Sequence, residues 1–204
     1  MTSLHRSIAT ALLLIAALPA AAAQWQFDVF LDGHRIGEHT FTIERLGEDR
    51  YVARSNARFD VKVMWVPVFR YRHESIEEWQ GGCLDSIASR TRVNGERYRL
   101  DGSRQRDEFD LAIERDGRRE QRSLPACVAT YAYWDAPTLR QHAHLLNSQT
   151  GSYDAVSLEP LPRELRIVGE HSGDRFAIDV DYGDGRWEGL TTQRDGRRIE
   201  YRLR

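Results

Sequence analysis

The sequence has little of several features that mark common classes of protein. Two of its 204 residues are cysteine, six are proline, and the formal charge is −2 at pH 7. A charge this close to zero gives no general attraction to nucleic acid, so we expect no nucleic-acid partner. After residue 23 no apolar run approaches the roughly 20 residues of a membrane-spanning helix, so the mature chain is predicted to have no transmembrane anchor.

The sequence also lacks the short motifs of common catalytic, cofactor and metal sites. It contains no Gly-x-Ser-x-Gly elbow, no glycine-rich phosphate-binding loop and no His-Glu-x-x-His pattern. The pair His142 and His144 is a weak metal signal, and residues 179–184 resemble a calcium loop only superficially. We therefore expect no cofactor and no bound metal, and a binding protein is favoured over an enzyme.

The first 23 residues follow the order of a secretory signal peptide. A short basic head precedes an apolar run over residues 8–18, and Ala21 and Ala23 satisfy the small-residue rule for cleavage after Ala23. No cysteine follows that position to accept a lipid. The sequence thus predicts a cleavable signal peptide over residues 1–23, a single antiparallel β domain over residues 24–204, and a soluble periplasmic protein.

Export changes how the two cysteines are interpreted. In an oxidising compartment an isolated pair is more often a disulfide than a metal site, so Cys83 and Cys127 are predicted to be bonded to each other. Closing a loop of this length stabilises a fold by about 4 kcal/mol in the chain-entropy model. The alternative makes Cys127 a nucleophile served by His142 or His144.

Alternation of apolar and polar residues predicts a protein made of strands. Trp25, Phe27 and Val29 fall on one face of the first run, and the pair Asp32–Gly33 then makes a turn. The same rule predicts about ten to twelve strands along the chain. Further turn signals are Gly81–Gly82, Asn94–Gly95, Asp101–Gly102, Asp116–Gly117, Asp184–Gly185 and Asp195–Gly196.

These strands predict a strongly curved antiparallel sheet or an open or half β-barrel, as in lipoprotein carriers or lipocalins. Residues 125–146 depart from the alternation, and a short helix or an irregular insertion is predicted around residues 135–147. Asp135 is a suitable cap for a helix with Leu139 and Leu146 on one side. A strand ending at Leu146, followed by a turn over residues 148–151, fits equally well.

Binding of an apolar molecule is the function that the residues motivate best. The third run places small residues such as Ala53 and Ala57 on the same face as Phe59, and a curved sheet lined this way can leave a lumen. Residues 64–69 are apolar on both faces, which ordinary half-buried strands avoid. A lipid or other hydrophobic small molecule is the predicted ligand, and a plain packed core is the alternative. The candidate ligand-binding residues are Trp65, Phe69, Tyr71, Tyr133 and Trp134.

Two other functions stay open. A small periplasmic hydrolase would use His73 with Glu74 or Glu77 as acid and base. An envelope assembly or scaffold protein would instead use the edges of its sheet to bind a protein partner, whose identity the sequence does not indicate.

Several short segments, spread over nearly all of the mature chain, resemble one family. They are Tyr71-Arg-His-Glu-Ser with Trp79, Ala132-Tyr-Trp, residues 145–151, Trp187-Glu-Gly-Leu and Tyr201-Arg-Leu203. On these segments the chain resembles an uncharacterised bacterial family of exported proteins, the domain-of-unknown-function family numbered six-one-three-four. The resemblance implies no activity and no assigned site residues. Residues 32–37 and 51–55 also look loosely like other exported half-barrel proteins, including lipoprotein carriers, which is an analogy of fold alone.

Overall fold

The computed structural model describes residues 22–63 and 66–204, with side chains outside residues 62–67. The predicted signal peptide up to residue 21 and the candidate ligand residue Trp65 lie outside the described residues. The described part of the chain is almost entirely β-strand, as the alternation of its residues predicts.

The described residues form fourteen strands, rather than ten to twelve, and one short helix. The helix is α1 (Ala136–Leu139). The strands are β1 (Ala22–Leu31), β2 (His34–Arg45), β3 (Arg50–Val63), β4 (Val66–Gln80), β5 (Cys83–Val93), β6 (Glu96–Arg104), β7 (Glu108–Arg115), β8 (Arg118–Pro125), β9 (His144–Leu146), β10 (Tyr153–Pro160), β11 (Glu164–His171), β12 (Asp174–Gly183), β13 (Arg186–Arg194) and β14 (Arg197–Leu203).

All fourteen strands belong to one antiparallel sheet that does not close. Their order is β8-β7-β6-β5-β4-β3-β2-β1-β14-β13-β12-β11-β10-β9. The first and last strands of the chain pair with each other inside the sheet, with Val29 opposite Tyr201. The two edges are therefore β8 and β9, which are consecutive in the chain and are joined by residues 126–143. The prediction of an open antiparallel sheet with a short helix is confirmed.

Strong curvature brings the concave face of this sheet around a segment that we call the insertion (residues 126–152). Leu84 at the start of β5 donates its N–H to the Val128 carbonyl at 2.7 Å. Ser89 on the same strand donates its hydroxyl to the Ser148 carbonyl at 2.6 Å, although β9 lies at the far edge of the sheet. The insertion begins at the predicted end of the alternation, near residue 125, and extends a few residues beyond residue 146.

Both conformations considered for the insertion are present in it. The carboxylate of Asp135 accepts the N–H of Thr138 at 3.1 Å and so caps α1. A strand, β9, ends at Leu146 before the next turn. Cys83 and Cys127 form the predicted disulfide, with Cα atoms 4.9 Å apart, which ties the start of the insertion to β5.

Turn residues fit the hairpins with one exception. Asn94 and Gly95 have φ angles of 49° and 101°, as the tight turn between β5 and β6 requires. The turn predicted at Asp101–Gly102 is wrong, because both residues lie inside β6. A β-carbon at Gly102 would lie 2.6 Å from the ring of Phe109, so the glycine allows that ring to pack on the backbone.

Candidate functional site

Strand β4 shows how alternation builds the concave face. Its odd-numbered side chains from Tyr71 to Trp79 are buried, and the even-numbered ones between them are exposed. The inward set includes three polar residues, His73, Ser75 and Glu77. Polar side chains at this depth need hydrogen-bond partners, so their surroundings are the first place to search for a functional site.

The half of the concave face that lies under the insertion is filled, and we call it the filled half. Here the carboxylate of Glu77 accepts hydrogen bonds from the Thr130 hydroxyl at 2.8 Å and from the Trp79 indole N–H at 3.2 Å. Burial raises the pKa of Glu77 to about 7, against the smaller effect of these hydrogen bonds. The fully buried apolar side chains of this half include Trp79, Leu84, Leu100, Phe109, Val128, Ala129, Ala132, Leu139, Leu145 and Leu146.

In the other half, toward the end of β3 and the start of β4, a histidine lies between a serine and a tyrosine. The Nε2 atom of His39 shares a hydrogen bond of 2.6 Å with Ser55 Oγ, and its Nδ1 atom shares one of 3.2 Å with the Tyr201 hydroxyl. The ring packs on Phe41, with 4.0 Å between centroids. Burial lowers the pKa of His39 well below its usual value, so this imidazole is neutral at neutral pH.

A second buried histidine lies two strands away. His73 Nδ1 shares a hydrogen bond of 2.8 Å with the Thr91 hydroxyl, which lies directly opposite it on β5. Burial lowers the pKa of His73 to about 4. The ring lies beside that of Tyr71, with 6.3 Å between centroids. This half of the face is therefore polar but uncharged at neutral pH.

Aromatic rings complete this region. Tyr71 stacks on Phe59 with centroids 4.9 Å apart, and its hydroxyl is buried without a hydrogen-bond partner among the described side chains. Burial raises the pKa of the Tyr71 hydroxyl, and the nearby Tyr201 and Tyr133 raise it further. Both are deeply enclosed by protein yet keep partly exposed side chains. We call this region the His–Tyr patch, formed by His39, Ser55, Phe59, Tyr71, His73, Tyr133 and Tyr201.

The structure brings only some of the predicted ligand residues together. Tyr71 and Tyr133 both belong to the His–Tyr patch, and Phe69 is half-buried two positions from Tyr71 on the same face of β4. Trp134 lies between the two halves, with its ring centroid 5.7 Å from that of Phe41, on which His39 packs, and 6.5 Å from that of Trp79. Trp65 cannot be placed, because it lies outside the described residues.

Sequence reasoning missed two members of the patch, His39 and Tyr201. His39 shares the inward parity of Phe41 on β2, and this signal was available in the sequence. Its contact with Tyr201 was not, because it depends on the pairing of β1 with β14. These two residues are 162 positions apart in the chain.

The acid–base pairs considered for a hydrolase do not form. Glu74 points to the convex face, away from His73. Glu77 shares the inward face, but four residues of extended strand place it about 13 Å from His73. Ser55 and His39 are hydrogen-bonded, but Ser55 lies in a strand paired on both sides, so its neighbouring N–H groups are committed to the ladder. No pair of free donors is available there for an oxyanion.

Other polar clusters lie outside the patch. His142 Nε2 shares a hydrogen bond of 3.2 Å with the Gly82 carbonyl, whereas the His144 ring stacks on Tyr153, so the two histidines do not converge. Asp154 is buried and accepts a hydrogen bond from the Tyr131 hydroxyl at 2.9 Å. Within residues 22–63 and 66–204, no group of three or more His, Cys, Asp or Glu side chains is arranged to hold a metal ion.

Comparison with known proteins is informative about the fold. The chain is similar to a crystal structure from Brucella abortus, described as a beta-barrel-like protein of domain of unknown function DUF1849. The TM-score is 0.63 at 10% sequence identity, over 92% of this chain and 98% of that one. A search of curated proteins found no significant match. None of the helical segments in the described part of the chain is long and apolar enough to cross a membrane.

A family model extends over most of the chain. It matches residues 27–204, and its description is a domain of unknown function. The match includes the second half of β1, all of β2 to β14, the disulfide and the whole His–Tyr patch. The chain belongs to the DUF6134 family.

Proposed function

We propose that this protein is exported to the periplasm through a cleaved signal peptide and there binds a lipid or another apolar small molecule at the His–Tyr patch, without catalysis. The observation that carries the proposal is the state of the tyrosines. Tyr133 and Tyr201 keep exposed area on a face that protein encloses, and the Tyr71 hydroxyl is buried without a partner in the described residues. A ligand would cover the first two and give the third a hydrogen bond.

The energetics favour an apolar or amphipathic ligand. Aromatic rings contribute most of the patch, and removing apolar area from water stabilises a complex by roughly 25 cal/mol for each Å². Phe69 extends this surface toward the end of β3 and the start of β4. The two histidines are neutral at neutral pH and so add no charge that an apolar ligand would leave unpaired.

Binding is tested with the mature chain after removal of co-purified lipid. Trp187 lies 5.3 Å from Tyr133 between ring centroids, so its emission should change when a ligand covers the patch. We expect a fatty acid, phospholipid or isoprenoid to shift tryptophan emission and raise the melting temperature. Tyr133→Ala should weaken the effect, and Ile76→Ala, on the exposed convex face, should not. No response to any member of the panel would contradict the proposal.

Export is tested separately by mass spectrometry of protein purified from the periplasm. The mature chain should begin at Gln24, and the disulfide found between Cys83 and Cys127 fits an oxidising compartment. Recovery of the intact chain from the cytoplasm would contradict this part. The same spectra, recorded under native conditions, would identify any ligand that co-purifies.

Assembly with a protein partner is a second candidate, favoured by one observation. The edge strand β8 is exposed along almost its whole length, and its outer edge has no strand beside it in the described residues. Its charged side chains include Arg118, Glu120 and Arg122, so a partner strand at this edge would have to carry complementary charges. A stable partner in pull-downs that Arg122→Pro abolishes would support assembly.

A further inference from the structure

The polar atoms of the His–Tyr patch point to a narrower class of ligand, an inference that rests on the function proposed above. We infer that the inserted end of the ligand carries an uncharged oxygen group, a hydroxyl or a carbonyl, which accepts a hydrogen bond from Tyr71. Fatty-acid carboxylates and phosphate headgroups are then excluded from this position.

The Tyr71 side chain is held in place for this role. It is 6% exposed, its ring stacks on Phe59 at an interplanar angle of 10°, and it also lies beside the ring of His73. Its hydroxyl has no hydrogen-bond partner within the described part of the chain, although a buried donor without a hydrogen bond costs free energy. An acceptor on a bound ligand would remove that cost, whereas a bare hydrocarbon end would not.

His73 provides a second polar atom nearby. Its Nδ1 atom is taken by Thr91, and no hydrogen bond of its Nε2 atom is found among the described residues. A neutral imidazole has one donor and one acceptor nitrogen, and the tautomer decides which of them faces the ligand. A hydroxyl group suits either tautomer because it both donates and accepts.

Strand alternation excludes charge from the patch. On β4 the neighbours Arg70, Arg72 and Glu74 are exposed on the convex side. Arg194 is the one charged residue that affects the pKa of Tyr71, and its side chain is exposed near the turn between β13 and β14. A carboxylate inserted beside Tyr71 would lose its hydration and gain only the attraction of this exposed cation, whose effect on Tyr71 is smaller than that of burial, so its insertion is unfavourable.

The test uses three probes with one chain length: 1-dodecanol, methyl dodecanoate and dodecanoate at pH 8. Binding to the delipidated mature chain is measured by calorimetry and by tryptophan emission. We expect the alcohol and the ester to bind at least about ten-fold more tightly than the carboxylate, since only they can be inserted without an unpaired charge.

Tyr71→Phe removes only the hydroxyl and keeps the stacked ring, so it should fold. We expect the substitution to lower the affinity for 1-dodecanol about five-fold and to leave the affinity for dodecanoate unchanged. Tyr98→Phe is the matched control, because the Tyr98 hydroxyl lies outside the patch and donates to Glu96 at 3.0 Å. The control should bind all three probes as the wild type does.

The outcomes separate the two proposals. Equal or tighter binding of dodecanoate, or an unchanged affinity of Tyr71→Phe for 1-dodecanol, overturns the inference and leaves apolar binding standing. If the wild type binds none of the three probes but responds to another lipid in the panel above, the inference also fails alone. If nothing in either set binds, the proposed function fails and the inference with it.

Discussion

The two halves of the concave face are built from the same strands but differ in what lies against them. On β4, Glu77 and Trp79 lie under the insertion and are fully packed. Tyr71 and His73, a few residues earlier, meet tyrosines that keep exposed area. Strand alternation decides which side chains point inward, and the insertion decides which of them are covered. Stability should therefore depend on the filled half, and ligand binding on the His–Tyr patch.

The largest effect should come from removing the disulfide that ties the insertion to the sheet. Replacing both Cys83 and Cys127 with alanine should lower the free energy of unfolding by about 4 kcal/mol, because the reduced chain regains the entropy of an open loop. Urea unfolding measures the change. A loss that is no larger than that of a surface substitution would mean that packing alone holds the insertion.

Shortening one side chain in each half should show that the filled half contributes more to stability than the His–Tyr patch does. Leu139→Ala should cost about 3 kcal/mol, because Leu139 is fully buried and its loss leaves a cavity. Tyr133→Leu should cost about 1 kcal/mol, because Tyr133 is only partly buried. Thermal and urea unfolding of both variants give the comparison, and equal losses would contradict the division into two halves.

The filled half should lose stability as the pH rises. Burial raises the pKa of Glu77 from 4.5 to about 7, so the folded protein holds this proton more tightly than the unfolded chain. The contribution of protonated Glu77 to the free energy of unfolding is complete below about pH 4.5 and is lost as the pH rises through about 7. Glu77→Gln should therefore be more stable than wild type by about 3 kcal/mol at pH 8, and similar to it at pH 4.

The matched control for that variant is the next residue. Glu78 is exposed on the convex face, so Glu78→Gln should follow the wild-type stability at both pH values. If Glu77→Gln also followed the wild type across this range, the carboxyl group would not be buried as described.

The His–Tyr patch should respond to pH in the opposite direction. Burial lowers the pKa of His73 from 6.5 to about 4, so its contribution is complete above about pH 6.5 and is lost as the pH falls through about 4. When the pH falls from 7 to 4, the free energy of unfolding of His73→Gln should therefore decrease by up to about 3 kcal/mol less than that of the wild type. Urea unfolding at pH 7 and pH 4 measures this, with His34→Gln, at an exposed turn, as the control.

The smallest effect is expected on the convex face, where neither half of the interior is involved. Arg204 donates to Asp28 at 2.7 Å and to Glu38 at 3.0 Å, but exposed ion pairs are screened by water and salt. Arg204→Gln should leave the unfolding midpoint within experimental error at physiological salt. A clear loss would show that this network, and not only the interior, holds β1 and β2 together.

The fold could be predicted further than the site. Alternation and turn residues are local properties, so they indicated the strands, the hairpins and the inward face of β4 correctly. The turn predicted at Asp101–Gly102 was wrong because glycine occurs both in tight turns and at places where a side chain packs closely on the backbone. Only the position of the Phe109 ring shows that Gly102 is of the second kind. The surroundings of Tyr133 and Trp134 could not be predicted, because side chains of an irregular segment follow no alternation; their rings lie beside those of Trp187 and Phe41, respectively.

The sequence by itself determined that the chain forms an antiparallel sheet with a disulfide. Strand periodicity and glycine turns are local signals, and two cysteines allow only one disulfide within the chain. Tertiary structure alone decided that β1 pairs with β14, that the insertion fills one half of the concave face and contributes only Tyr133 to the His–Tyr patch, and that His39 meets Tyr201. These contacts join residues far apart in the chain, and they depend on how the whole sheet curves, which no local pattern records.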